Sequence, residues 1–170
     1  MFHVLVIDSS TARLFQCRRA KPRLLEIYDF VNPSGHKHEQ ELVSSRPGRV
    51  VNRAAGMRHA LGHATSARRY AIERWTQSLS KQLRELLAAR RSQGLVLVGS
   101  SRLLASVRKG LPKTMPVYAT VARNLGHVPA STLAERLLPI LDSVERQLDL
   151  RTKTYRPAAA VGKTRTATRL

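Results

Sequence analysis

The sequence predicts an α/β sandwich, a three-layer type built around a mixed five-stranded sheet. Three observations carry that prediction. Strand-like runs follow one another near the N-terminus, helix-like and strand-like runs alternate from there on, and two of the strand runs are apolar throughout, as strands covered on both faces must be. The 170 residues suffice for one hydrophobic core and would leave two cores undersized. One domain over residues 1–150 is expected, with a long basic loop over 32–66 and a basic, disordered arm over 151–170.

Taken in order, "HVLVIDSS" is a continuous apolar run that ends in turn-forming residues, which reads as a strand buried on both faces. "ARLFQCRR" and "RLLEIYDFV" supply two more strands, rich in branched and aromatic residues and spaced as an antiparallel meander. After Val31 the pattern dissolves into Asn, Pro, Ser and Gly, the chemistry of turns. A helical period begins near Ser66, with Ile72, Trp75, Leu79, Leu83 and Leu86 on one face. Thr65 or Ser66 is the expected N-cap, and Arg90, Arg91 and Gly94 the cationic end and stop. "GLVLVGSS" is a second buried strand, followed by a short helix that opens on a serine cap and turns Leu103, Leu104 and Val107 inward. "MPVYATV" gives the fifth strand. A last helix, capped by Ser131, carries Leu133, Leu137, Leu141, Val144 and Leu148 as its stripe, with a kink expected at Pro139.

Charge bounds the partner. Thirty basic residues against eleven acidic ones give +19, with an isoelectric point near 11.6. Self-repulsion on that scale opposes folding unless a polyanion is at hand, so RNA, DNA or an anionic membrane surface is the expected partner class. Aromatic residues are only 5% of the chain, too few for a base-stacking platform, which favours phosphate contacts and shape. The single Cys17 excludes an intrachain disulfide and a multi-cysteine zinc cluster. The N-terminus lacks the basic leader and long apolar region of a signal peptide, and no run approaches the roughly 20 apolar residues of a membrane span. A cytoplasmic location is expected.

The cations concentrate in two places. Between Ser44 and Trp75 stand Arg46, Arg49, Arg53, Arg58, Arg68 and Arg69, with His59 and His63 among them and no carboxylate before Glu73. Beyond Leu150 come Arg151, Lys153, Arg156, Lys163, Arg165 and Arg169, again without an acid. Guanidinium groups bridge phosphate oxygens, and each neutralised phosphate releases counterions, so both sets read as RNA-binding; loops kept for solubility mix charge signs instead. The bland alternative is a solvated loop and tail.

No catalytic or metal constellation assembles. His36, His38, His59 and His63 have no third ligand near in sequence, and the neighbouring arginines repel a divalent cation. Ser100 and Ser101 sit at a helix start without the lysine and glycine spacing of a nucleotide loop, and "GKT" in the tail follows no strand. Cys17 has no base partner in view. No cofactor, metal or small-molecule substrate is expected, and the protein is read as a non-enzyme.

Two blocks, "ELVSSRPGRVVNRAAGMRHALGHATSARRYAIERWTQSLSKQL" and "LVLVGSSRLLASVRKGL", together with "VLVIDSSTARLF", resemble the bacterial host attachment protein family over residues 1–150. The order of elements is also similar to the middle domain of archaeal and eukaryotic class-1 release factors and of their ribosome-rescue and hibernation relatives. There a loop after the third strand carries Gly-Gly-Gln into the peptidyl-transferase centre; here "RAAGMRHALGHA" stands in that stretch. The resemblance therefore implies placement toward ribosomal RNA without hydrolysis, with Arg58 and His59 as tip contacts. The fold order resembles ribonuclease H as well, but Asp8 and Glu73 are too few carboxylates for two-metal hydrolysis. Asp8 reads as a turn or capping residue. The expectation is a cytoplasmic, ribosome-associated factor of hibernation or rescue type, with the ribosome, rRNA and tRNA as partners. The alternatives are an adhesion factor for anionic surfaces and a peptidyl-tRNA hydrolase lacking Gly-Gly-Gln.

Overall fold

The computed structural model describes residues 1–17, 24–35 and 60–154. The elements are β1 (Phe2–Ile7), β2 (Thr11–Cys17), β3 (Leu24–Val31), α1 (Ala60–Ala89), β4 (Leu95–Gly99), α2 (Ser101–Gly110), β5 (Val117–Val121) and α3 (Ala130–Thr154). The five strands form one open sheet in the order β3-β2-β1-β4-β5. The first three are the expected antiparallel meander, whereas β4 pairs with β1 and β5 with β4 in parallel, so the sheet is mixed.

Strand position explains the sequence pattern. β1 is central and β4 lies beside it, and every residue of both is buried. Continuous apolar runs are what two covered faces demand. One face of β1, through Leu5 and Ile7, packs with Leu14, Leu95 and Leu97 against Trp75, Leu79, Leu83 and Leu87 of α1 and Leu103, Leu104 and Val107 of α2. The other face, through Phe2, Val4 and Val6, packs against Leu133, Leu137, Leu141, Val144 and Leu148 of α3. Each buried leucine or valine contributes on the order of 2 kcal/mol of transfer free energy. α1 and α2 thus form one outer layer and α3 the other.

Helix ends depart from the sequence reading in five places. α1 begins at Ala60, so Thr65 and Ser66 are interior residues and not caps, and the loop ends before residue 60 instead of at 66. The apolar period in the sequence starts only at Ile72, while Ala60, Leu61, Ala64 and Ala67 before it are good helix formers by intrinsic propensity. At its other end the stop is Arg91, at φ 48°, and not Gly94. Arg91 N–H donates to the Ala88 carbonyl at 3.0 Å and Ser92 N–H to that of Leu87 at 2.9 Å, the paired bonds of a Schellman end.

Ser100 occupies the N-cap position of α2, yet its side chain makes no capping bond, so the serine cap is absent. α3 starts at Ala130, one residue before the expected cap Ser131, and runs unbroken through Pro139 to Thr154. Pro139 is tolerated because it and Glu135, whose carbonyl loses its donor, are both exposed to water. Arg151 and Lys153 therefore belong to the last turn of a helix and not to a disordered arm.

Candidate nucleic-acid interface

The parallel strands β1, β4 and β5 end along one edge of the sheet, the edge where ligands of open α/β sheets bind. This edge is tied together by Asp8. Its Oδ1 accepts N–H bonds from Ser10 at 2.7 Å and Thr11 at 2.8 Å, and its Oδ2 accepts the Thr11 hydroxyl at 3.3 Å, the turn role expected of it. Asn32 continues the structure: its Nδ2 donates to the Ser9 carbonyl at 2.8 Å, and its own amide donates to the Ser10 carbonyl at 2.7 Å.

Gly35 follows against the same turn. A Cβ there would lie 2.6 Å from Ser10 Cα and 2.8 Å from the Ser9 carbonyl oxygen, so only glycine brings the chain this close. Residues 36–59 depart from this anchor and rejoin the fold at Ala60. Arg68, Ala71 and Ile72 of α1 line a small cleft with Ser9, Asn32, Ser34 and Gly35, which brings the helix and the root of the loop together.

The expected RNA-binding residues divide accordingly. Arg68 and Arg69 are exposed on α1 beside the loop root. Arg69 donates to Glu73 at 3.1 Å, a surface pair one helical turn apart and worth a few tenths of a kcal/mol at most. His63 lies on α1, while Arg46, Arg49, Arg53, Arg58 and His59 lie outside the described residues. Arg151 and Lys153 lie on the last turn of α3, and Arg156, Lys163, Arg165 and Arg169 lie outside the described residues. α3 leaves the Asp8 edge and runs back along the sheet for 25 residues, ~37 Å at 1.5 Å per residue. Its C-terminal half packs near Phe2 and Cys17, so loop and arm start from opposite ends of the sheet.

One cation has a structural role that the sequence reading missed. Arg13 of β2 donates from Nε and Nη2 to the Glu26 carboxylate at 2.9 and 2.6 Å and from Nη1 to the carbonyls of Gly126 and Val128 at 3.1 and 2.7 Å. It also lies 5.0 Å above the Phe15 ring. The hydrogen bond from Arg13 holds the Glu26 carboxyl below its ordinary value. This clamp fastens the segment leading into α3 to the sheet, and its signal was the strand period that sets Arg13 on the face of Phe15.

Among the described residues the chemically capable side chains singled out from the sequence are buried or already engaged. Burial, reinforced by Glu145, pushes the Cys17 thiol up to about 12, which keeps it protonated and inert. Among the described residues no cluster of three or more His, Cys, Asp or Glu is placed to hold a metal. Glu73 is engaged by Arg69 and Asp8 by its own turn. Among the described residues no helix is long and apolar enough to cross a membrane.

The charge is unevenly divided between the layers. From Arg68 to Leu111, α1, β4 and α2 carry ten basic and two acidic residues. From Ala130 to Thr154, α3 carries four basic and four acidic residues. The surplus cation faces outward on the α1–α2 side.

No curated protein matches the chain. Residues 3–137 match the model of the family described as "Protein required for attachment to host cells". That match takes in all five strands, α1 and α2, and the chain belongs to this family.

Proposed function

We propose that this protein is a non-catalytic, ribosome-associated RNA-binding factor of hibernation or rescue type, which presents its basic loop toward the tRNA and peptidyl-transferase region. The observation that carries the proposal is the cationic segment from Arg46 to Arg69, which returns to the fold at the ligand-binding edge of a rigid sheet with Glu73 as its first carboxylate. The order of elements, a three-stranded meander, a loop, a long helix and a parallel strand, supports likeness to the release-factor middle domain. Bulk and charge from Ala55 to His63, with Arg58 and His59 as contacts, would exclude a tRNA acceptor end without any bond being cut. Sucrose-gradient sedimentation of cell extract at low salt tests this. Comigration with ribosomal particles that is lost at high salt is expected, and protein confined to ribosome-free fractions would defeat the reading.

The family description favours a second reading, attachment to an anionic cell surface. Cell fractionation separates the two: an adhesion factor is recovered with the envelope and a ribosome factor with the cytoplasm.

A further inference from the structure

Beyond the loop and the arm, the described cations align around the helices. On α1, Arg74, Gln77, Lys81 and Arg84 recur at steps of three and four and share one exposed stripe. On α2, Arg102, Ala105 and Lys109 do the same. Between the stripes lies a tight seam. Thr76 and Ser106 hydroxyls meet at 2.7 Å, and the Ser80 hydroxyl donates to the Val107 carbonyl at 3.3 Å. A Cβ at Gly110 would lie 2.5 Å from both Cβ and Oγ of Ser80, so the helices touch through their smallest residues. The basic stripes flank this seam on two axes about 8–10 Å apart.

Among the described residues none of Arg74, Lys81, Arg84, Arg102 and Lys109 is in a salt bridge. Of the two acids of α1, Glu73 holds Arg69, and Glu85 stands one helical turn from Lys81 without forming a salt bridge to it.

We propose that the outer face of the α1–α2 layer is a docking surface for double-helical RNA, held through its phosphates along these two basic stripes. The proposal rests on the RNA-binding reading above and extends it from the loop to the helical layer. Two parallel cation rows at fixed spacing match two phosphate rows, which a duplex presents and a single strand does not. A single strand would also need stacking rings. The α1 face offers Tyr70, already covered by the Arg74 guanidinium at 5.9 Å. Two helices side by side, each about 10 Å across, are too broad to enter the roughly 12 Å major groove of B-form DNA. The wide, shallow minor groove of A-form RNA, bordered by phosphates, accepts such a surface and is read by shape.

The test uses the full chain and fluorescence anisotropy with a labelled blunt RNA duplex of about 16 base pairs, the span of a typical duplex-RNA module. Competitors are the single strand, the DNA duplex of the same sequence and vesicles of anionic phospholipid. The variant is Arg74→Gln, Lys81→Gln, Arg84→Gln, Arg102→Gln and Lys109→Gln combined, all exposed positions where glutamine keeps helix propensity. Wild type should prefer the RNA duplex. The variant should bind it at least about tenfold more weakly, with the slope of log K against log salt shallower by about 4 to 5, at 0.9 per phosphate contact.

Separate α1 and α2 variants should each lose part of this, and matching circular-dichroism melts exclude misfolding. A loop variant with Arg46, Arg49, Arg53 and Arg58 changed to Gln distinguishes the two layers of the account. If it alone loses binding, the helical-face proposal is wrong and the RNA reading stands. If wild type binds no RNA, both fall. Equal or tighter binding of the single strand, the DNA duplex or the vesicles overturns duplex RNA as the occupant.

Discussion

His3 makes the stability of this domain sensitive to acid in a calculable way. The side chain is fully buried on the α1 face of β1, and its Nδ1 meets the Ser92 hydroxyl at 2.7 Å. Ser92 Oγ in turn donates to the Gly94 carbonyl at 3.0 Å, so Nδ1 carries the ring proton and Nε2 is an unpartnered lone pair in the core. Burial first, then the charges of Arg90 and the N-terminal ammonium, lower its pKa from 6.5 to about 4. A base whose folded pKa is depressed stabilises the fold above its unfolded pKa, and that stability is lost as pH falls toward the folded value. The fall from 6.5 to about 4 corresponds to about 3 kcal/mol of stability lost as pH drops across that range.

The perturbation is His3→Asn, which keeps an N–H donor for Ser92 and removes the titration. Urea unfolding across this pH range, followed by fluorescence of the buried Trp75, gives stability for both proteins. The variant is expected to be weaker at neutral pH because it is smaller, and its acid sensitivity should be lower than wild type by about 3 kcal/mol. Glu26, held low by Arg13, also loses stabilisation in acid, but it is common to both and cancels in the difference. Parallel pH profiles for the two proteins would refute the reasoning.

Other outcomes follow from the same geometry. Arg13→Ala strands the carbonyls of Gly126 and Val128 and the Glu26 carboxylate, and should cost about 2 kcal/mol in chemical denaturation; a neutral result would remove the clamp. Arg91→Gly relieves a left-handed backbone and should raise stability by roughly 0.5–1 kcal/mol, read as a higher melting temperature, with no gain if Arg91 is unstrained. Gly35→Ala should unseat the root of the loop, lowering stability by about 1–3 kcal/mol and weakening rRNA binding, because its Cβ would strike the Ser9–Ser10 backbone. Deleting residues 155–170 removes four cations beyond the helix end and should weaken rRNA binding while leaving the melting temperature in place.

What the chain disclosed depended on whether a signal repeats. β1 and β4 were legible because burial on both faces imposes an unbroken apolar run, and the stripes of α3 and of α1 through Leu83 because one face of each meets the sheet, although α1 buries Leu87 and leaves the expected Leu86 half-buried. The sequence of α1 before Ile72 carries no apolar period, so the loop expected over 32–66 overlaps the first seven residues of the helix. Arg91 ends its helix in a conformation usually given to glycine, and Gly94 nearby drew the assignment instead. His3 was absorbed into an apolar run whose one polar member reveals itself only through Ser92. The basic stripes are hidden along the chain, where Arg74, Lys81 and Arg84 stand apart among polar residues and beside Glu73 and Glu85, and come together only around the helix.

The central claim is that the surplus cation is mounted for a nucleic-acid partner, and equilibrium binding of purified rRNA across a salt series tests it most directly. Tight binding at low salt is predicted, falling by about a thousandfold or more between roughly 50 and 200 mM as several phosphate contacts are released. Binding that is absent, or that is unchanged over that range, would contradict the account.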